Sequence, residues 1–375
     1  MTRRLRTAII GLCLSALGCG GCSTASTSET PPAVLVETVD TVTPAADAGA
    51  LAPTVYRGAR LSGGGPDPVD VAVANGRVLA IGPVGTVAAE VVVDVTGRWL
   101  APGGIDSHVH VVYAPAASAL VAGGIVAAVD HAAPPAFFTT DFGALHVVGS
   151  GPMITATMGY PTQGWGADGY GREVIVGDVP GAVAAVDALV AQGAALVKVP
   201  LAPGARLTTA QLEAIAARAH VHGKKLSVHA LTDADAALAA AIGADVLAHC
   251  PTEPLKDATV TAWSTRAVIA TLSAFGGASV ANLKRLAQAG ATVLYGTDFG
   301  NTTVEGISPA EIGLMQQAGI SGSAILAALT TAPAAFWGLA DHGAIAPGKR
   351  AAFLVLAKDP GVDPLTLAAP VTVVR

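Results

Sequence analysis

Between residues 101 and 341, short apolar runs alternate with alanine-rich stretches, and a parallel α/β architecture is the economical way to absorb that pattern. The runs are 105–109, 124–129, 145–148, 194–199, 225–228, 245–248, 267–271 and 292–295. They read as near-continuous apolar stretches, as parallel strands buried on both faces must. Residues 181–192, 209–220, 233–242 and 282–289 read as helices between them. Thr208 or Thr209 ahead of Gln211-Leu212-Glu213 resembles a capping box. Eight such units predict a (β/α)8 TIM-type barrel.

The flanks have a different texture. Residues 55–61, 69–74, 77–81 and 91–95 read as short strands, with Asn75-Gly76 as a two-residue hairpin turn. Residues 350–356 and 371–374 are strand-like again. The two ends are therefore expected to build a small flanking β-sandwich module, 51–100 plus 342–375, beside a barrel at 101–341. Residues 23–50, rich in Ser, Thr, Ala and Pro, read as a flexible linker. Within 1–22, Arg3, Arg4 and Arg6 precede an apolar stretch at 7–17 that is too short to cross a bilayer, the pattern of an export signal peptide. Ala16-Leu17-Gly18-Cys19 resembles a lipobox whose leucine sits one place nearer the cysteine than usual, and Cys22 is a competing acceptor. The expectation is an exported protein, a periplasmic or outer-membrane lipoprotein anchored at Cys19, with an ordinary cleaved signal as the alternative.

Composition narrows the rest. The chain of 375 residues is 52% hydrophobic and 13% charged, which supports a large core and excludes wholesale disorder. A net charge of −6 without a basic stripe argues against nucleic acid as a partner. Beyond the first 22 residues Cys250 is the only cysteine, so packing and not disulfides must hold the fold.

Chemistry in such barrels sits at the C-terminal ends of the strands, and polar residues end these runs repeatedly. His108-Val109-His110 closes the first, and side chains two apart on a strand share a face. His220-Val221-His222 has the same spacing at a helix end, where the two diverge, and reads as surface. Lys198 stands amid apolar residues of the fourth run, where a charged amine carries a heavy desolvation cost unless neutralised or paired. His229 ends the fifth run, His249 the sixth, and Asp298 follows the eighth in Gly296-Thr297-Asp298. Each alone fits a structural role better. All six at strand ends do not fit coincidence.

These residues resemble the amidohydrolase superfamily. Leu100-Ala101-Pro102-Gly103-Gly104-Ile105-Asp106-Ser107-His108 is similar to its approach to the first strand, Gly296-Thr297-Asp298 to its eighth-strand motif, and Gly343-Ala344-Ile345-Ala346-Pro347-Gly348-Lys349 to its return to the β module. The likeness runs from about Val55 to the end and points to the branch of imidazolonepropionase-like and prolidase-like proteins. It implies two divalent metal ions, zinc by default for an imidazole-rich set and manganese or iron otherwise. His108, His110 and Asp298 would hold one ion and His229 with His249 the other, with carboxylated Lys198 as bridging ligand. It implies hydrolysis of amide-type C–N bonds, in a small peptide or cyclic amide, by a metal-bound hydroxide, with Asp298 as catalytic proton carrier. The alternatives are a catalytically inactive, surface-anchored binding module and a mononuclear deaminase. No glutamate follows His229 closely, and with Lys198 this makes deamination the minor option.

Tyr160 and Trp165 could line the substrate pocket or pin their loop, and His131 could touch substrate, although a role in supporting a ligand or the fold suits it better; Tyr113 and Arg172 are further candidates. Tyr160-Pro161 stands where relatives often carry a histidine. Glu305 and Glu311 read as solvated, His146 as part of the barrel's stability face, and Cys250 as a small packed side chain.

Overall fold

The computed structural model describes residues 53–162 and 169–375. The export signal at 1–22 with Cys19 and Cys22, the linker at 23–50, and Trp165 lie outside the described residues.

The alternation folds as parallel sheet. Gly104–Val109 pairs with Ile125–Asp130, and that strand with His146–Gly149. Leu196–Leu201, Lys225–Ala230, Val246–Leu247, Ala267–Ile269 and Thr292–Leu294 form a five-stranded parallel sheet in chain order. Every residue of Gly104–Val109, Ile125–Asp130 and Leu196–Leu201 is buried, which is why these strands carry almost no polar alternation. Backbone hydrogen bonds link the two sheets at both margins. Ala195 N donates to Gly149 O at 2.9 Å. At the other margin Ser107 N donates to Tyr295 O at 2.9 Å, Asp298 N to His108 O at 2.9 Å, and His110 N to Phe299 O at 2.7 Å. The last strand's exit thus lies beside the first strand, although the two are nearly 200 residues apart. The architecture is α/β and TIM-barrel-like.

The helices form where expected, within a few residues. Val179–Gln192 is capped by Asp178, Thr209–Val221 by a full capping box of Thr208 and Gln211, and Asp233–Ala241 by Thr232. Ser279–Ala289 begins three residues earlier than its apolar spacing suggested. The third run departs from expectation. His146–Gly149 ends at a turn where Gly151 takes φ +63, and a second piece, Met153–Ala156, pairs in parallel with Gly171–Val174. Ser150-Gly151-Pro152 causes the break, because proline supplies no N–H to a ladder and the glycine reverses the backbone.

Both ends of the described chain meet, as expected, in one seven-stranded sheet. Its members are Thr54–Leu61, Val69–Ala74, Arg77–Pro83, Val91–Asp94, Trp99–Pro102, Phe353–Leu356 and Thr372–Val374. Trp99–Pro102 and Phe353–Leu356 are antiparallel neighbours. Asn75 and Gly76 have φ of 51° and 68°, both left-handed, as a type I′ hairpin requires. The sheet has its own core of Ala59, Val71, Leu100, Phe353 and Val355, separate from the large cluster around the parallel strands.

His220 and His222 lie at the surface. His220 Nε2 is 2.8 Å from Asp245 and His222 Nε2 is 2.7 Å from Asp187. His146 opens its strand and its Nδ1 lies 2.8 Å from His342 Nε2, away from the strands' C-terminal ends. Among the described residues no helix is long and apolar enough to cross a membrane.

Candidate active site

His108, His110, Lys198, His229, His249 and Asp298 all line one cavity of about 370 Å³. The topology explains the convergence. Five of them lie at or just beyond the end of a parallel strand, Lys198 lies within Leu196–Leu201, and neighbouring strands place these positions side by side.

Asp298 is the pivot. Its Oδ1 lies 3.4 Å from His108 Nε2 and 3.1 Å from His110 Nε2. Its backbone is left-handed at φ +57, an uncommon conformation for a non-glycine residue. Asn301 Nδ2 donates to both carboxylate oxygens at 3.2 and 3.3 Å, which fixes the carboxylate's plane. Next to it, the buried Asp106 carboxylate accepts from the amides of His108 and Thr297 and from Thr297 Oγ1, tying the first strand to the last.

The imidazoles are set up as ligands. His108 Nδ1 donates to Ala248 O at 2.8 Å, so its Nε2 faces Asp298 with a free lone pair. His249 Nδ1 lies 3.2 Å from Thr271 Oγ1, a contact that can fix its tautomer in the same way. Burial holds His108 and His249 well below the usual imidazole range and pushes His229 down to about 3, so all three are neutral. His108, His110 and Asp298 offer one atom each within 4.8 Å of one another, the only such group of His, Cys, Asp or Glu among the described residues. Ligand atoms about 3 Å apart suit an ion bonded at about 2.0–2.2 Å to each. This group could hold a metal ion.

Lys198 is fully buried and its Nζ has no hydrogen-bond partner. Burial drives its amine down to about 7, against the pull of Asp298. Its charge also lowers the proton affinity of His108, His229 and His249. An orphaned amine amid four ligand-type side chains is a group whose chemistry is incomplete.

The outer wall is apolar. Met153, Ala202, Pro203, Ala274 and Phe275 line it, with Tyr160. The Tyr160 ring is 5.7 Å from that of His229, and Phe275 is 4.5 Å from His249. Tyr160 thus lines the cavity. His131 does not face it and takes the supporting position instead: it is fully buried behind His108, its ring stacked at 4.1 Å, its Nε2 donating to Ser107 O and its Nδ1 accepting from Ser227. The deep burial of the strand that precedes it turns this histidine into a support for the His108 ring. Tyr113 and Arg172 do not line the cavity.

Glu311 also corrects the sequence reading. Glu305 is exposed, but Glu311 is fully buried and accepts from the amides of Leu272 and Ser273 at 2.7 and 2.8 Å. It thereby holds the turn that carries Thr271, the partner of His249, and Phe275. Replacing Glu311 with alanine is expected to cost about 1–3 kcal/mol, because buried amides lose their acceptor. Thermal denaturation checks this: the midpoint should fall by several degrees, and an unchanged one would remove Glu311 from this role. Cys250 is buried and its thiol contacts Ser279 O, as its packed reading required.

The sequence model of the amidohydrolase family matches residues 99–374. No curated protein matches the chain. Among solved structures, a Xaa-Pro dipeptidase with bound methionine in the active site is similar at a TM-score of 0.72 and 18% identity, over 84% of this chain and 96% of its own. Molinate hydrolase matches at 0.68 and 18%, over 86% and 93%. Phenylurea hydrolase B matches at 0.67 and 18%, over 86% and 95%.

Proposed function

Because this chain belongs to the amidohydrolase family, we propose that it is a metal-dependent hydrolase of amide-type C–N bonds in a small peptide or cyclic amide. One observation carries the reading: six side chains of ligand or acid–base type, drawn from five separate strands and their exits, face a single cavity. The two sheets of parallel strands are read as one (β/α)8 barrel. The seven-stranded sheet, which branches at Thr54–Leu61, is read as its flanking sandwich.

His108, His110 and Asp298 would hold one divalent ion, His229 and His249 a second, with zinc as the default. Lys198, whose burial favours the unprotonated amine, would add to carbon dioxide through that form and release a proton. The carbamate so formed could no longer carry the amine's positive charge and would offer oxygens as ligands to the ions. When bound, the metals would activate water and polarise the scissile carbonyl. Asp298 takes the proton from the attacking water and returns it to the leaving nitrogen. Asn301 keeps the carboxylate turned for that transfer, and His131 keeps the His108 ring from tilting. The Xaa-Pro dipeptidase and phenylurea hydrolase B fit a C–N hydrolase in what their names say. Export and lipid anchoring at Cys19 belong to the same reading and place the enzyme where it meets scavenged nitrogenous substrates.

The test is metal per chain by elemental analysis, on protein expressed with zinc and bicarbonate, together with turnover on a panel of free dipeptides, end-blocked dipeptides and cyclic amides. About two metals with C–N cleavage is expected. A single metal would favour the deaminase-like reading. None after reconstitution, with no turnover, would make the chain a binding module.

A further inference from the structure

The outer wall of the cavity bears on which C–N substrates it would take, an inference that rests on the hydrolase reading above. Once the six ligand-type side chains engage the reacting end, the wall is what meets the rest of the molecule. It consists of Met153, Ala202, Pro203, Ala274 and Phe275 with the Tyr160 ring. Phe275 and Tyr160 stand against His249 and His229, so an apolar group beside the scissile bond would have an aromatic ring to meet.

Among the described residues, no arginine lines the cavity and its only lysine is the buried Lys198. The nearby Arg206 is committed elsewhere: its guanidinium is 2.6 Å from Asp235 and also donates to Ala202 O. Asn301, the one carboxamide of the wall, is engaged with Asp298. Residues 163–168, Gln-Gly-Trp-Gly-Ala-Asp, lie outside the described residues and contain no lysine or arginine. A substrate carboxylate against this apolar wall would be desolvated with no protein cation to pair it, which is costly. A neutral carboxamide or aryl group would not.

We propose that the substrate is uncharged beyond its scissile bond: a neutral amide bearing an apolar, aromatic-sized group, such as a blocked peptide or an aryl amide, and not a dipeptide with a free carboxylate. The cavity, at about 370 Å³, is of a size for such a molecule.

The experiment separates recognition from turnover by using uncleavable ketones in which CH2 replaces the scissile N–H. 3-Benzoylpropanamide and 3-benzoylpropanoate differ only in the terminal charge. Each is titrated calorimetrically into the protein with zinc supplied. The amide is expected to bind at least about tenfold tighter than the carboxylate, and Phe275→Ala to weaken the amide about tenfold. Equal or tighter binding of the carboxylate overturns the proposal, as does absence of amide binding or indifference to Phe275→Ala. Preferential amide binding by a protein that cleaves no C–N bond would uphold this inference and sink the hydrolase reading alone.

Discussion

Asp298→Asn is expected to lower kcat by about 10³-fold or more while the protein stays folded. The two halves of that expectation come from different observations. The fold survives because asparagine, like aspartate, tolerates the left-handed backbone that this position adopts at φ +57, and its volume is the same. The Asp298 amide still donates to His108 O, so the junction of first and last strands is kept. What is lost is the anionic oxygen that sits 3.4 Å from His108 Nε2 and 3.1 Å from His110 Nε2. The carboxamide presents one oxygen and no basic site, so it cannot carry a proton from water to the leaving nitrogen. Steady-state kinetics alongside circular dichroism checks both halves. Near-normal turnover in a folded variant would remove Asp298 from the proton-transfer role, whatever the fate of the metal.

The six residues facing the cavity were legible because strand ends concentrate function, and buried parallel strands announce themselves as apolar runs. Polar residues stood out against that background: His108, Lys198, His229, His249 and Asp298 are anomalous where they occur. The same logic located the hairpin at Asn75-Gly76, where local geometry dictates residue type. It failed where the decisive partner is remote or the environment is not set by neighbours in sequence. Glu311 looks like any glutamate early in a helix, Pro309–Gln317, yet its partners lie 38 and 39 residues away. His131 follows a strand just as His229 ends one, but it packs between His108 and Trp337 instead of facing the cavity. Phe275 and Asn301 carry no pattern at all. They occupy loops and a single turn after strands, where no periodicity reports direction. Asp106 was available, since it shares a strand face with His108 by two-residue spacing, but only the structure shows it clasping Thr297.

Lys198→Ala separates a structural lysine from a ligand more sharply than any other change. Lys198 is fully buried with an amine that satisfies no hydrogen bond, so removing it relieves a desolvation penalty and leaves a cavity. A lysine kept only for packing would be replaced at the cost of that cavity alone, with metal content and kcat unchanged. A carboxylated, bridging Lys198 predicts a different set of results. Metal content should fall from about two per chain towards one or fewer, and kcat should fall by about 10³-fold or more. Short carboxylic acids such as formate or acetate should restore part of both, because they fit the space vacated by the side chain and supply the missing oxygens. The thermal midpoint should fall with the lost metal and recover with the acid, since ions that bind only the native state stabilise it by mass action. Elemental analysis, kinetics and melting with and without formate thus read one event three ways. Retention of both metals in Lys198→Ala would show that the amine is not their bridge.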